Sequence, residues 1–196
     1  MPPTDSPAAT RRSRRRLLLT LGAAATLLVA SIGGVSLSAA NSESVAEAQK
    51  VVIEVLHAEH ELASLPATAA QTGVAASLRG QMVAAAKSEI DRLYSGPIVV
   101  ARLETLVAGI EVEGTPDGIF VWDGGVKNVV FESTVVSGDS ATVRVQATTF
   151  LVMSATAAGD RSSPTNTGTF TFKLSRIGGT WYVTDEDVEF APGEGP

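Results

Sequence analysis

The stretch that decides the fold is Val143-Arg144-Val145-Gln146-Ala147-Thr148-Thr149-Phe150-Leu151-Val152-Met153. Its odd-numbered positions are mostly apolar, and the even-numbered positions up to Thr148 are polar. A period of two residues is typical of a β-strand that buries one face and leaves the other open. The stretch therefore predicts a long strand with one buried face in an antiparallel sheet.

The segments on both sides of this strand continue the same pattern. Turn residues at 137–140 precede it, and the Gly178-Gly179 pair follows later, as expected of hairpin connections. A polar, Gly/Ser/Thr/Pro-rich stretch at 157–168 predicts a loop. The alternating residues predict one buried face for each neighbouring strand, formed by Val129, Phe131, Ser133 and Val135 before the turn and by Phe170, Phe172 and Leu174 after the loop, with a last strand over Trp181–Phe190.

Before residue 113 the apolar residues recur with the helical period of 3.6. They predict helices at about 44–63 and 74–93, and Ser44 with Glu47 has the form of a capping box, which places the N-cap at Ser44. Residues 99–110 predict a third helix with Val100, Leu103, Leu106 and Val107 inward, and their β-branched side chains leave a strand as the alternative. Helices followed by strands predict an α+β fold of two to three helices packed on a curved antiparallel sheet of about four strands.

The N-terminal residues differ in composition from the rest of the chain. Five arginines lie within residues 11–16, and residues 17–40 carry no charge. Such a run predicts a signal peptide or a single transmembrane anchor, with residues 1–16 in the cytoplasm and the remainder exported. Ser13-Arg14-Arg15-Arg16-Leu17-Leu18 also resembles a twin-arginine signal, and the general export route is the alternative. We expect one domain over 41–190 and a disordered tail over 191–196.

The exported part has a composition that excludes several functions. From Asn41 onward it holds ten basic and twenty acidic residues, a net charge of −10, so we expect no binding to nucleic acid, which depends on Lys and Arg. The chain has no cysteine, which excludes disulfides, thiol nucleophiles and cysteine metal sites.

The closing segment Gly179-Thr180-Trp181-Tyr182-Val183, together with the order of helices and strands, resembles the nuclear-transport-factor-2-like superfamily, whose members include polyketide-cyclase-like proteins and ketosteroid isomerases. The arginine-rich leader is similar to that of actinobacterial secreted or Mce-associated proteins. The resemblance implies a cone of sheet wrapped around helices. Members use the interior of such a cone for catalysis, for binding or for dimerisation.

Several side chains have types that support chemistry, and each also has a structural interpretation. His57 and His60 are three residues apart, one short of the H-E-x-x-H zinc motif, so we expect a solvated helix face. The acidic run is predicted to be an exposed strand end, because no calcium-loop pattern is present near Asp117 or Asp123. The members of that run are Asp185, Glu186, Asp187 and Glu189.

An isomerase-like pocket would need a buried carboxylate and a hydroxyl donor. Tyr94 and Tyr182 are the only tyrosines, and Glu104 or Glu132 are acids that could face a cone interior. Spacing pairs none of them. Trp122 and Trp181 are predicted core residues rather than pocket residues. No catalytic, cofactor-binding or metal residue is assigned, and no cofactor is expected.

The sequence thus predicts a non-catalytic accessory or binding domain of the cell envelope that acts through a pocket or a protein surface. Its expected partner is an envelope protein or a second copy, and the membrane is contacted only through the N-terminal segment. A homodimer would use the second face of the sheet, where Val130, Thr148, Phe150 and Val152 are expected. The alternative is a small-molecule-binding enzyme of the cyclase or isomerase type that uses the cone interior.

Overall fold

The computed structural model describes residues 39–115 and 118–193, and it confirms the α+β fold class. All neighbouring strands pair antiparallel, and the sheet order follows the chain order. In chain order the elements are α1 (Ala39–Glu61), α2 (Ala69–Thr72), α3 (Ala76–Leu93), α4 (Ile98–Val112), β1 (Phe120–Ser137), β2 (Ser140–Ser154), β3 (Thr165–Ile177) and β4 (Thr180–Phe190).

The main core lies between α1 and the inner face of the sheet. The predicted stripe of α1 is buried there, with Val52 and Val55 fully inaccessible to solvent. It meets the inner residues of the central strands, among them Val143 and Phe172, which are equally inaccessible. The alternation quoted above is therefore confirmed over residues 143–147, because Val143, Val145 and Ala147 are buried in this core whereas Arg144 and Gln146 are not.

A second, smaller core holds α2, α3 and α4 against the start of β1. Ile110 of α4 and Met82 of α3 are buried there beside the stacked rings of Phe120 and Trp122, whose centroids are 5.5 Å apart. The indole Nε1 of Trp122 donates a hydrogen bond to Ser154 Oγ at 2.7 Å. Trp181 lies in the main core, 3% exposed, so both tryptophans are core residues as predicted.

The predicted N-cap at Ser44 is wrong, because α1 already includes Ala39. The two residues of the expected capping box instead bind Arg176 of β3. Its Nη2 donates to Ser44 Oγ at 3.0 Å and to Glu47 Oε2 at 2.6 Å. Arg176 also stacks over the ring of Trp181, with its guanidinium carbon 4.6 Å from the ring centroid. The polar pair that resembled a helix start is thus a tertiary contact.

Residues 98–112 form a helix, so the strand alternative is excluded. The inward face of α4 differs from the predicted one at Val100, which is 61% exposed. The residues that pack inward are Val99, Leu103, Leu106 and Ile110, which recur at helical spacing, and Arg102 lies on the same side.

The faces of β1 also depart from the prediction. A register irregularity lies between Phe131 and Ser133, and the side chains beyond it exchange faces. Thr134 and Val136 are half-buried, whereas Val135 is 64% exposed. An extra residue in one strand reverses the alternation, because successive side chains point to opposite faces.

The apolar segment predicted to be a signal or anchor lies outside the described residues, except for Ala39 and Ala40. Among residues 39–115 and 118–193, no helix has both the length and the apolar composition needed to span a bilayer.

Candidate functional site

Four elements bring ionisable side chains together at one side of the main core. Glu59 comes from α1, Tyr94 from the end of α3, Arg102 from α4 and Glu186 from β4. The end of α3 is fixed against β4 because the Ser95 N–H donates to Val183 O at 2.9 Å. We refer to Glu59, Tyr94, Arg102 and Glu186 as the Arg102 cluster.

Within the Arg102 cluster the charges and donors satisfy one another. Arg102 Nη2 lies 2.6 Å from Glu186 Oε2, and Nη1 lies 3.4 Å from Glu59 Oε1. The hydroxyl of Tyr94 donates to Glu59 Oε1 at 2.7 Å. The Glu186 side chain is only 3% exposed, against 29% for Arg102 and 20% for Glu59. A buried carboxylate needs a partner of this kind, because an unpaired charge in a protein interior is costly.

The environment of the cluster changes the proton affinity of its members. Burial, with the nearby charge of Glu59, raises the pKa of Glu186 to about 7 even though Arg102 opposes the change. Burial and the two carboxylates also raise the pKa of Tyr94, so its hydroxyl keeps its proton and acts as a donor. The cluster places a hydroxyl beside two carboxylates, and enzymes use groups of both kinds as proton donors and acceptors. Arg102 engages both carboxylates.

The predicted exposure of the whole acidic run is therefore wrong for Glu186, although Asp185, Asp187 and Glu189 are exposed. The physical reason is an irregularity in the β3–β4 register at Lys173/Leu174. A signal for it exists in the sequence. The apolar residues of β4 change from odd positions, Trp181 and Val183, to even positions, Val188 and Phe190, which indicates an inserted residue and puts Glu186 on the inner face.

A second buried carboxyl group lies where α4 ends. Glu113 is 4% exposed, and its Oε1 accepts a hydrogen bond from Val121 N–H at 2.8 Å. Arg79 Nη2 donates to Glu113 O, and Nη1 donates to Val74 O, each at 2.8 Å. Burial raises the pKa of the Glu113 carboxyl to about 7, although Val121 N–H and the charge of Arg79 act in the opposite direction.

This raised pKa makes stability depend on pH. The folded chain holds a proton on Glu113 up to about pH 7, whereas the unfolded chain releases it near 4.5, so the free energy of unfolding should fall as pH rises through this window. We expect Glu113→Gln to match the wild type near pH 4.5 and to be more stable at pH 8, by about 1–3 kcal/mol at roughly 1.4 kcal/mol per pKa unit. Urea unfolding of the full-length chain at both pH values measures this difference.

The matched control is Glu111→Gln, an exposed residue of the same helix, which should leave the pH dependence of unfolding unchanged. Glu186 contributes a pH dependence of the same sign in both proteins, so only the difference between the variants is diagnostic. A Glu113→Gln chain that is less stable than the wild type at pH 8 would contradict the burial cost.

A cavity of about 270 Å³ opens where the end of α1 meets the sheet. His60, near the end of α1, forms one wall, and the other walls come from the end of β2, the start of β3 with the loop before it, and the end of β4. We call it the His60 cavity, and its remaining lining residues are Thr149, Phe150, Leu151, Met153, Pro164, Asn166 and Phe190.

A second depression, of about 360 Å³, is a surface groove between α1 and α3 with Glu61 and Glu89 on its lining. Neither this groove nor the His60 cavity is lined by a member of the Arg102 cluster. In the part of the chain that the structure describes, no three His, Asp or Glu residues are grouped so as to hold a metal ion.

The remaining residues singled out from the sequence form no common site. Glu104 and Glu132 are exposed and face no cone interior, and Glu132 pairs with Arg144 at 2.7 Å on the surface. His57 and His60 are both half-buried rather than fully solvated. Tyr182 is half-buried in β4, away from the Tyr94 hydroxyl network. Sequence spacing missed Glu59 and Arg102, which lie on different helices.

Comparison with known proteins identifies the fold and nothing finer. No family model and no curated protein matches the chain. The intermembrane-space region of the chloroplast protein ARC6 matches with a TM-score of 0.50 at 12% identity, over 75% of this chain and 97% of that one. The chain shares the α+β fold of that region, which is the fold that the resemblance to the nuclear-transport-factor-2-like superfamily implied.

Two bacterial structures are similar at lower scores. A candidate aromatic ring hydroxylase from Novosphingobium aromaticivorans has a TM-score of 0.49 at 15% identity, covering 76% of this chain and 90% of that one. Kfla4162 from Kribbella flavida has a TM-score of 0.47 at 9% identity, covering 76% and 93%. The match to the ARC6 region confirms the predicted α+β fold, while the likeness to Mce-associated proteins stays a prediction.

Proposed function

We propose that the chain is an exported or membrane-anchored, non-catalytic binding domain of the cell envelope that acts through the His60 cavity. One observation carries this proposal. The His60 cavity is an open concave site with apolar walls, which is the usual character of a binding pocket. The deep interior between α1 and the sheet is instead filled by side chains such as Leu56, Val145 and Phe172.

The arrangement of ionisable groups favours binding over the catalytic alternative. Acid–base catalysis needs a titratable group within hydrogen-bond reach of a bound substrate. Arg102 and Tyr94 engage the carboxylates of Glu59 and Glu186, and these carboxylates line neither cavity described above. Among the described residues that line the His60 cavity, His60 is the one titratable side chain, and none of them is a carboxylate.

The cellular location in this proposal follows from the charge pattern of the leader. The arginines at 11–16 remain on the cytoplasmic side, and the uncharged run behind them directs the acidic domain outward. An envelope protein is the proposed macromolecular partner. A second copy bound through the sheet face near Val130, which is 55% exposed, is the other.

The absence of cysteine allows a direct test of location. Ser163 is exposed in the loop before β3, and Ser6 precedes the arginines. In intact cells, a membrane-impermeant maleimide should label full-length Ser163→Cys and leave Ser6→Cys unlabelled until the cells are lysed. Mass measurement of the labelled chain shows whether the leader has been removed.

The wild-type chain is the matched control, because it offers the reagent no thiol. If the leader is cleaved, the mature Ser6→Cys protein carries no label even after lysis, and the Ser163→Cys result still reports location. Protection of Ser163→Cys until lysis would refute export, whatever the His60 cavity binds.

A further inference from the structure

The walls of the His60 cavity expose more apolar surface than a depression filled only by solvent requires. Phe150, Leu151, Met153 and Phe190 are large apolar side chains, and each is only half-buried around the opening. Exposed apolar area costs free energy of about 25 cal/mol per Å² relative to burial. A ligand with an apolar surface would recover this cost by covering the four side chains.

The cavity has few polar groups, and Thr149 and His60 each already make a hydrogen bond within the protein. The Thr149 hydroxyl donates to the main-chain oxygen of Asn166 at 3.3 Å. The ring of His60 lies with Nδ1 at 2.9 Å from Leu56 O, and because a carbonyl oxygen only accepts, Nδ1 carries the proton. In the neutral ring Nε2 is then an acceptor, and it has no hydrogen-bond partner among the residues that the structure describes.

The size and charge of the surroundings restrict the ligand further. A volume of about 270 Å³ is close to the lower end of the range for ligand sites, so the cavity suits a small ligand. The exported part carries a net charge of −10, which disfavours an anion. Lys127 lies over the Phe150 ring, with Nζ 5.6 Å from the ring centroid, but it does not line the cavity.

We propose that the His60 cavity binds a small neutral phenol or alcohol, with its hydrocarbon body against Phe150, Leu151, Met153 and Phe190 and its hydroxyl donating to His60 Nε2. This proposal rests on the binding function proposed above and names the chemical class of the ligand. No covalent bond is made or broken, so the site recognises the ligand through one hydrogen bond and the exclusion of water.

The probe is 4-fluorophenol, followed by fluorine NMR in a titration of the full-length chain. 4-Fluorotoluene is the matched ligand, because it keeps the ring and the fluorine and replaces the hydroxyl by a methyl group. We expect 4-fluorophenol to bind the wild type more tightly than 4-fluorotoluene by about three- to tenfold, the ratio that one net hydrogen bond gives. Both should compete for one site.

Two histidine variants distinguish ligand binding through His60 Nε2 from binding to the apolar walls alone. His60→Ala should weaken 4-fluorophenol binding by about three- to tenfold and leave 4-fluorotoluene within about twofold, since only the phenol uses Nε2. His57→Ala is the matched control, one turn earlier on α1 and not lining the cavity, and it should change neither affinity. Phe190→Ala should weaken both ligands.

Each other outcome overturns a defined part of the proposal. Absence of saturable binding of both probes in the wild type would show that the cavity is not a ligand site, while the maleimide result would still decide export. Equal affinities for the phenol and the toluene, or an unchanged phenol affinity in His60→Ala, would remove the hydroxyl contact and with it the ligand class.

Discussion

Replacing Arg102 by Met should lower the free energy of unfolding at pH 8 by about 3 kcal/mol, because removal of one partner leaves charged groups buried without compensation. Glu186 would remain 3% exposed beside Glu59, with the Tyr94 hydroxyl as the remaining donor between them. Met keeps an unbranched apolar stem, so the loss reports the charge rather than the packing. Urea unfolding of the full-length chain measures it.

The loss should shrink at pH 5. The pKa of Glu186 is already raised to about 7, and it would rise further without Arg102, so the carboxyl group would be neutral and would need no cation. Arg144→Met is the matched control, since its pairs with Glu132 and Glu189 are on the surface, and it should change stability little at either pH. Equal losses for the two variants would mean that the Arg102 cluster behaves as surface charge.

Replacing Phe172 by Ala should lower the free energy of unfolding by about 3–5 kcal/mol, which is the usual cost of emptying a buried aromatic site. Phe172 is fully inaccessible, lies opposite Val143 in the sheet, and stacks near Phe170 with centroids 6.3 Å apart. α1 covers it from the other side, so the site has little room to collapse. Chemical unfolding of the full-length variant gives the value.

Phe150→Ala is the comparison variant, because this ring is half-buried and lines the His60 cavity. Its loss should be clearly smaller, since part of its surface already meets solvent. A loss for Phe172→Ala below that of Phe150→Ala would indicate that the interior between α1 and the sheet is open, and would restore the cone interior as the site of a catalytic function.

Together these variants distinguish two uses of one fold. A cone can keep an open interior for catalysis, or it can fill the interior and bind ligands or partners elsewhere. In this chain the main core occupies the interior, and the Arg102 cluster closes its side with ion pairs. The His60 cavity at the end of α1 therefore remains the place to seek a ligand.

The sequence predicted much of the fold and little of the site. The turns at 137–140 and 177–180 and the buried stripe of α1 followed from local pattern, and a helix was the first prediction for residues 99–110, with a strand as the alternative. His60 was singled out, but it was predicted to lie on a solvated helix face rather than in the wall of an apolar cavity. Glu186 was assigned to an exposed run, although the change of parity between Val183 and Val188 was a readable signal.

What the sequence determined by itself is the order of helices and strands, the positions of the turns and the charge pattern of the leader, because periodicity and composition are properties of neighbouring residues. Only the tertiary structure decided the exchange of faces in β1, the burial of Glu186 and the grouping of Arg102 with carboxylates from α1 and β4. Those features depend on which distant segments approach one another. A buried charge must be paired, and tertiary packing decides which element supplies the partner.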